Sequence, residues 1–349
     1  MEFVTLLSFV NKICNHFEQK WSARRLISRP VEITLEPTLK CNSNCVMCNR
    51  NFSRKETKLS ESFLSWEVFN RIRPAFKFAE RVEFSGFGEG LMHPEYLEML
   101  KEIKKSGPYV HCFTNGVLLS EEMGQGLVDA GMDRIGISMG GATRETYQKI
   151  RGIDAFETVV DNIRRLNAYK QKAGKNTPEL SFNVVAMTSL LEEMIPLVNL
   201  ASDLGVRDIS MPNLVVQGDV VKDESLWLHK EKALPIFQAA GELARRMGIS
   251  FHPPDLDIGR SDCNAFYRRT YITWDGKVLS CPLERYILGD VCRESFYRIW
   301  NGKGLRELRK QYYRNGLEQT CPNCSCWDNR PEVFLSPPEN SREYAEVRE

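Results

Sequence analysis

Three thiols lie within eight residues in Cys41-Asn42-Ser43-Asn44-Cys45-Val46-Met47-Cys48, just after the β-branched run Val31-Glu32-Ile33-Thr34-Leu35. A strand ending in such a loop brings its sulfurs to one place. Three thiolates can hold a cubic four-iron cluster without completing it, because such a cluster normally takes four cysteines. One iron is then left open. A structural zinc site and a disulfide are the competing uses of these thiols. Zinc usually joins one C-x2-C pair to a second pair, and disulfide frameworks belong to small secreted chains, so both fit the spacing less well.

Further thiols crowd the carboxyl-terminal part, at Cys263, Cys281, Cys292, Cys321, Cys324 and Cys326, among aromatic and basic residues. Eleven cysteines in 349 residues without a secretory signal point to metal ligation in a reducing, cytoplasmic compartment. Residues 271–280 read as a β-hairpin around Asp275-Gly276, with alternating apolar positions on either side, which carries Cys281 back toward Cys263. A helix at about 295–312 then leads to the last three thiols.

These residues need a scaffold, and the pattern supplies one. From residue 31 to about 213, short β-branched runs (31–37, 81–85, 109–114, 134–138, 180–187 and 208–212) alternate with amphipathic stretches at 66–78, 94–105, 120–130, 156–173, 190–204 and 229–247. Such alternation argues for βα units around a parallel sheet. With 42% hydrophobic residues the chain can bury a sizeable core, and a formal charge of +1 provides no global field to attract nucleic acid. Phe3, Leu6, Leu7, Val10, Ile13, Cys14, Phe17 and Trp21 recur at helical spacing with Lys12, Lys20, Arg24 and Arg25 between or after them. This predicts an amphipathic helix whose apolar face docks on the body of the protein, the competing reading being a partner-binding helix or peripheral membrane contact through residues 1–26.

The C-x3-C-x2-C spacing resembles the signature of the radical S-adenosylmethionine (SAM) enzymes, in which the amino and carboxylate groups of SAM chelate the open iron. Other segments agree in order. Ser85-Gly86-Phe87-Gly88-Glu89-Gly90 is similar to the family's G-G-E-P segment, with Gly90 in place of the proline, and the resemblance implies that the backbone at Gly88 and the carboxylate of Glu89 hold the cofactor's ammonium. Thr114-Asn115-Gly116 resembles T-N-G. Ser138-Met139-Gly140-Gly141-Ala142-Thr143, Tyr147 and Ile150-Arg151-Gly152 resemble S-x-D-G-A-T…Y-x-x-I-R-G, which implies ribose and carboxylate contacts from Ser138 and Arg151. Gly140 stands where relatives often have aspartate. Asn183, a polar residue in an apolar run, reads as a ribose contact or as a core amide. His93, His111 and Cys112 read more simply as structural residues.

The carboxyl-terminal order of cysteines, hairpin and helix resembles the twitch domain, a shortened relative of the SPASM domain that holds auxiliary clusters. Six thiols are too few for two fully cysteine-ligated clusters, so the resemblance implies one auxiliary cluster on Cys263, Cys281, Cys321 and Cys324. Cys326 can replace Cys324 in that set, and zinc on the same four is the competing reading. Cys292, left over, is a candidate hydrogen-atom donor, with packing as a small hydrophobe as its alternative.

The expectation is therefore an α/β protein. It comprises a helix over 1–30, a partial (β/α)6 TIM-like barrel over 31–258, a twitch/SPASM-like iron–sulfur domain over 259–327 and an extended tail over 328–349. Two [4Fe–4S] clusters, one SAM-binding and one auxiliary, together with S-adenosyl-L-methionine, are the implied cofactors, and flavodoxin or ferredoxin the implied electron donor. The short segment ahead of the first strand favours a small hydroxylated substrate, sugar- or cyclitol-like, over a ribosomal peptide. A lipid substrate and a non-catalytic iron–sulfur carrier are further alternatives.

Overall fold

A computed structural model describes residues 5–48, 50, 62–216, 219–256, 263–281 and 287–321 of this protein. Cys324, Cys326 and the tail at 328–349 lie outside the described residues.

Alternation of strand and helix builds one sheet with helices against its outer face. The strands are β1 (Glu32–Leu35), β2 (Arg81–Glu83), β3 (Tyr109–Thr114), β4 (Arg134–Ser138), β5 (Glu179–Asn183), β6 (Asp208–Ser210) and β7 (Ser250–His252), each parallel to the next. The helices between them are α2 (Trp66–Phe76), α3 (Tyr96–Lys104), α4 (Glu121–Asp129), α5 (Arg144–Arg151), α6 (Phe156–Lys172), α7 (Met194–Asp203) and α8 (Lys230–Arg246). This is the partial TIM-like barrel expected, with β7 as an additional parallel strand. Because side chains alternate across a strand, Ile33, Val82, Val110, Ile135, Ile137, Phe182 and Ile209 are buried beneath the helices. The opposite, concave face carries Thr34, Glu83, His111, Phe113, Ser138, Asn183 and Ser210.

The carboxyl-terminal region continues the same sheet. After the short helix α9 (Ala265–Arg268), strand β8 (Arg269–Ile272) pairs in parallel with β1, in the register Glu32↔Arg269 to Leu35↔Ile272. It then turns through Gly276, at φ 86°, into β9 (Lys277–Leu279), which pairs with β10 (Ile287–Asp290). The Asp-Gly hairpin is thus present and is joined to the barrel edge. Helix α10 (Phe296–Trp300) and the helical stretch α11 (Lys303–Thr320), kinked at Gly316, complete the described chain.

The amino-terminal helix α1 (Leu6–Lys20) corrects one expectation, for it docks by its polar side. Ser8, Asn11 and Asn15 are buried, and Leu6, Val10, Ile13 and Phe17 are exposed. Asn11 Nδ2 donates to the carbonyls of Arg29 and Phe78 at 3.0 Å each, while Asn15 Nδ2 donates to the Tyr267 carbonyl at 2.7 Å. Those carbonyls precede β1, β2 and β8. Strand ends leave backbone acceptors that must be satisfied, and asparagine amides reach them where leucine cannot.

Candidate cluster and cofactor site

The cysteine loop leaves the carboxyl end of β1, where sites form in barrels of this kind. It is fastened from three directions. The first is its own helix-like turn, in which Cys48 N–H donates to the Cys45 carbonyl at 3.1 Å. The second is the end of α5: Asn44 N–H donates to the Arg151 carbonyl and Val46 N–H to the Ile150 carbonyl, both at 3.1 Å. These acceptors are the carbonyls that a helix leaves unsatisfied at its last turn. Gly152 ends that helix at φ 68°, and a Cβ there would stand 2.3 Å from the Asn44 carbonyl oxygen, so the I-R-G segment is shaped to receive the loop.

The third fastening is Asn115, which the sequence reading did not single out. Its Nδ2 donates to Asn42 Oδ1 at 2.6 Å and to Ser43 Oγ at 3.0 Å. Asn115 is itself held by Glu89, whose buried carboxylate accepts the Asn115 N–H at 2.7 Å, the Thr114 hydroxyl at 2.8 Å and the Leu91 N–H at 3.2 Å. The T-N-G segment was the available signal. Burial pushes the Glu89 carboxyl up, opposed by the hydrogen bonds from Asn115, Thr114 and Leu91 and, more weakly, by the Arg151 guanidinium. Glu89 N–H donates to the Lys40 carbonyl at 2.7 Å, and a Cβ on Gly88 would meet the Thr38 carbonyl at 2.2 Å, so the glycine permits the two loops to touch.

Cys45 is buried and Cys41 and Cys48 are half-buried. Burial pushes the Cys41 and Cys45 thiols up; for Cys45 the Arg151 guanidinium is the leading opposing influence. Each of these two thiols feels the charge of other cysteines of the loop, Cys48 acting on Cys41 and both Cys48 and Cys41 on Cys45, so the three are electrostatic neighbours. A four-iron cluster is larger than a single ion and takes its cysteines from around its perimeter, which this donor set fits. A second observation fits SAM beside it. Arg151 is buried, yet its Nε has no hydrogen-bond partner, and neither has the neighbouring Tyr147 hydroxyl. Buried donors are normally satisfied, so these two mark a place for an acceptor such as a carboxylate.

Ser138 and Asn183 are half-buried neighbours across β4 and β5, on the concave face, with Met139 N–H donating to the Asn183 carbonyl at 3.1 Å. Below them Arg134 donates to Asp208 at 2.6 Å and to Ser181 at 3.3 Å. Glu36, also missed from sequence, is fully buried and accepts from the Phe87 N–H at 3.1 Å and the Tyr271 hydroxyl at 2.7 Å, tying the Gly88–Glu89 loop to β8. His93 bonds the Leu64 carbonyl at 2.8 Å and Cys112 is buried, so both are structural, as expected. His111 faces the concave side, where burial and two arginines push it down to about 4.

Of the carboxyl-terminal thiols, Cys321 packs with Phe266 and Tyr267 of α9. Cys263 shortly precedes α9, and the hairpin returns Cys281 to the start of β8, so the three gather around one short segment. Cys292 lies apart from them. It is exposed beside Gly276 on the flank of α2, with Glu67 and Arg71 among its charged neighbours.

A partial barrel with a three-cysteine loop at the mouth and a cysteine-bearing hairpin on its edge defines the radical SAM class. The chain matches the Radical SAM superfamily over residues 35–213 and the SPASM iron–sulfur cluster-binding domain over 263–325. It belongs to the radical SAM superfamily, and its cofactors are [4Fe–4S] clusters and S-adenosylmethionine. It is similar to the tungsten-containing aldehyde ferredoxin oxidoreductase cofactor-modifying protein of Pyrococcus furiosus, 25% identical over 337 residues, covering 85% of this chain and 92% of that one. It is also 25% identical, over 309 residues, to the AdoMet-dependent heme synthase of Methanosarcina barkeri, covering 81% and 86%. Among solved structures, SuiB of Streptococcus suis bound to its precursor peptide SuiA shares the fold, with a TM-score of 0.67, 15% identity and coverage of 93% of this chain and 74% of that one.

Proposed function

We propose that this radical SAM enzyme removes a hydrogen atom from a small polar, hydroxylated molecule held against the concave face of the barrel. Cys41, Cys45 and Cys48 hold the SAM-binding cluster, and Cys263, Cys281, Cys321 and Cys324 the auxiliary one. When bound, cluster and SAM together supply a 5′-deoxyadenosyl radical for the abstraction, with the reducing electron drawn from a flavodoxin or ferredoxin. The observation that carries the reading is the direct bonding of the cysteine loop to both the Arg151 carbonyl and Asn115, the latter fixed by Glu89.

Arg151 presents its unsatisfied Nε to the cofactor carboxylate. Glu89 stays within its three protein hydrogen bonds and acts by fixing the Gly88 backbone against the loop, so that backbone carbonyls take the ammonium. This departs from a direct carboxylate contact. Ser138 and Asn183 offer a hydroxyl and an amide to the ribose. The substrate reading is supported by the hydroxyls of Thr34, Ser138 and Ser210 on the concave face. Two near-full-length relatives are named for modifying the cofactor of a tungsten-containing enzyme and for heme synthesis, which favours a small molecule over a peptide.

The test is anaerobic incubation with SAM and a reductant, assaying 5′-deoxyadenosine formation with fractionated metabolite pools. A dialysable, polar fraction should raise it above the substrate-free rate. Stimulation by peptide fractions alone would overturn the substrate class.

A further inference from the structure

Helix α1 turns its hydrophobic side to the outside. Leu6, Val10, Ile13 and Phe17, with Trp21 just beyond, form one stripe at helical spacing, exposed from 41% at Ile13 to 78% at Leu6. Leu7 and Phe9 flank it and are exposed as well. The rings of Phe17 and Trp21 meet at 5.3 Å, giving the stripe an aromatic end. The helix cannot roll this stripe inward without losing the bonds of Asn11 and Asn15 to three strand ends. A contiguous apolar patch of this kind marks an interaction surface.

Charge indicates what covers it. Between residues 5 and 30 the cations are Lys12, Lys20, Arg24, Arg25 and Arg29, and the acid is Glu18. Glu18 is engaged internally, its carboxylate accepting the Ser28 hydroxyl at 2.5 Å and the Ile27 N–H at 2.5 Å. Lys12 pairs with Glu80 at 2.7 Å, and Arg29 lies over the Tyr297 ring. Lys20, Arg24 and Arg25 remain, all exposed, clustered about the Trp21 end of the stripe. The rim is therefore basic and its one acid is turned away. An apolar stripe, an aromatic end and a basic rim make the composition of a helix lying in the headgroup region of an anionic bilayer.

We propose that α1 seats this enzyme peripherally on an anionic membrane surface through Leu6, Val10, Ile13, Phe17 and Trp21, with Lys20, Arg24 and Arg25 against the headgroups. Among the described residues no helix is long and apolar enough to cross a membrane, so the contact is interfacial. Its orientation follows from the fold. α1 bonds residues just before β1, β2 and β8, whereas the cysteine loop leaves the opposite end of β1, so the mouth faces away from the bilayer. A soluble redox partner fits the surface less well, because such encounters use small interfaces.

The test is flotation of the full-length, cluster-loaded protein with vesicles of phosphatidylcholine alone or containing about one-third phosphatidylglycerol. The protein should float with the anionic vesicles and be released by raised salt. Val10→Ser/Phe17→Ser/Trp21→Ser, and separately Lys20→Glu/Arg24→Glu, should each weaken partitioning by about tenfold or more. Both variants alter solvent-facing side chains and should keep wild-type iron content and SAM cleavage. Failure of the wild type to float with either vesicle overturns the proposal, as does equal flotation of the variants. A concentration-dependent dimer seen by sedimentation velocity without vesicles, and dissolved by the triple substitution, assigns the stripe to a second copy and overturns it too.

Discussion

Arg151 lies directly over Gly140: a Cβ at residue 140 would stand 2.5 Å from Arg151 Cγ and 2.8 Å from Cδ. The glycine that departs from the family's aspartate is thus the floor on which the arginine stem rests. Gly140→Ala should displace Arg151, at about 1–3 kcal/mol for a methyl forced into a packed site. The expected result is an equilibrium SAM affinity lowered by about tenfold with iron content unchanged. Unaltered affinity would remove Arg151 from the cofactor site.

Iron content tests the cysteine assignments. Reconstituted protein should hold about eight irons per chain, and replacing Cys41, Cys45 and Cys48 with Ala should remove about half of it and all SAM cleavage. Replacing Cys263 and Cys281 should remove the other half. Retention of full iron in either variant, measured by metal analysis with Mössbauer spectra, would refute the corresponding set.

The scaffold and the family were legible in the sequence because both are written locally, as β-branched runs, a thiol spacing and glycines at strand ends. The amino-terminal helix was misjudged for a physical reason. Periodicity shows that a helix has an apolar side, but which side docks depends on acceptors elsewhere, here the carbonyls of Arg29, Phe78 and Tyr267. Glu36 and Asn115 escaped for the same cause: each earns its place through partners distant in the chain, Glu36 with Tyr271 and Asn115 with Asn42. The parallel pairing of β8 with β1, across more than two hundred residues, leaves no local mark either.

Glu83, on the concave face, should make stability depend on pH. Desolvation by burial raises its carboxyl to about 7. A raised folded-state value means that its stabilising contribution is present in full below the unfolded value, near 4.5, and is lost as pH rises through about 7. Glu83→Gln should therefore raise the thermal midpoint by a few degrees at pH 8 relative to wild type and leave it unchanged near pH 4.5. Calorimetry on both proteins across that window checks the sign. An equal shift at both ends would show that the effect is not ionisation.

Cys292 faces solvent on the flank of α2, away from the concave side. The expected outcome for Cys292→Ala is full iron content, normal SAM cleavage and normal product formation. Cleavage that continues while product formation stalls would instead establish the thiol as the hydrogen-atom donor.

The shared ladder between β1 and β8 has a mechanical meaning. The two proposed metal centres hang from opposite ends of adjacent parallel strands, one beyond Leu35 and the other ahead of Arg269. Four residues of strand rise about 13 Å, so the ladder keeps the stem of the cysteine loop and the segment that follows Cys263 at opposite ends of one edge. Its hydrogen bonds fix the register of the two strands, and the stems of both thiol-bearing segments therefore move as one body. The barrel edge is a shared rigid frame from which both are hung.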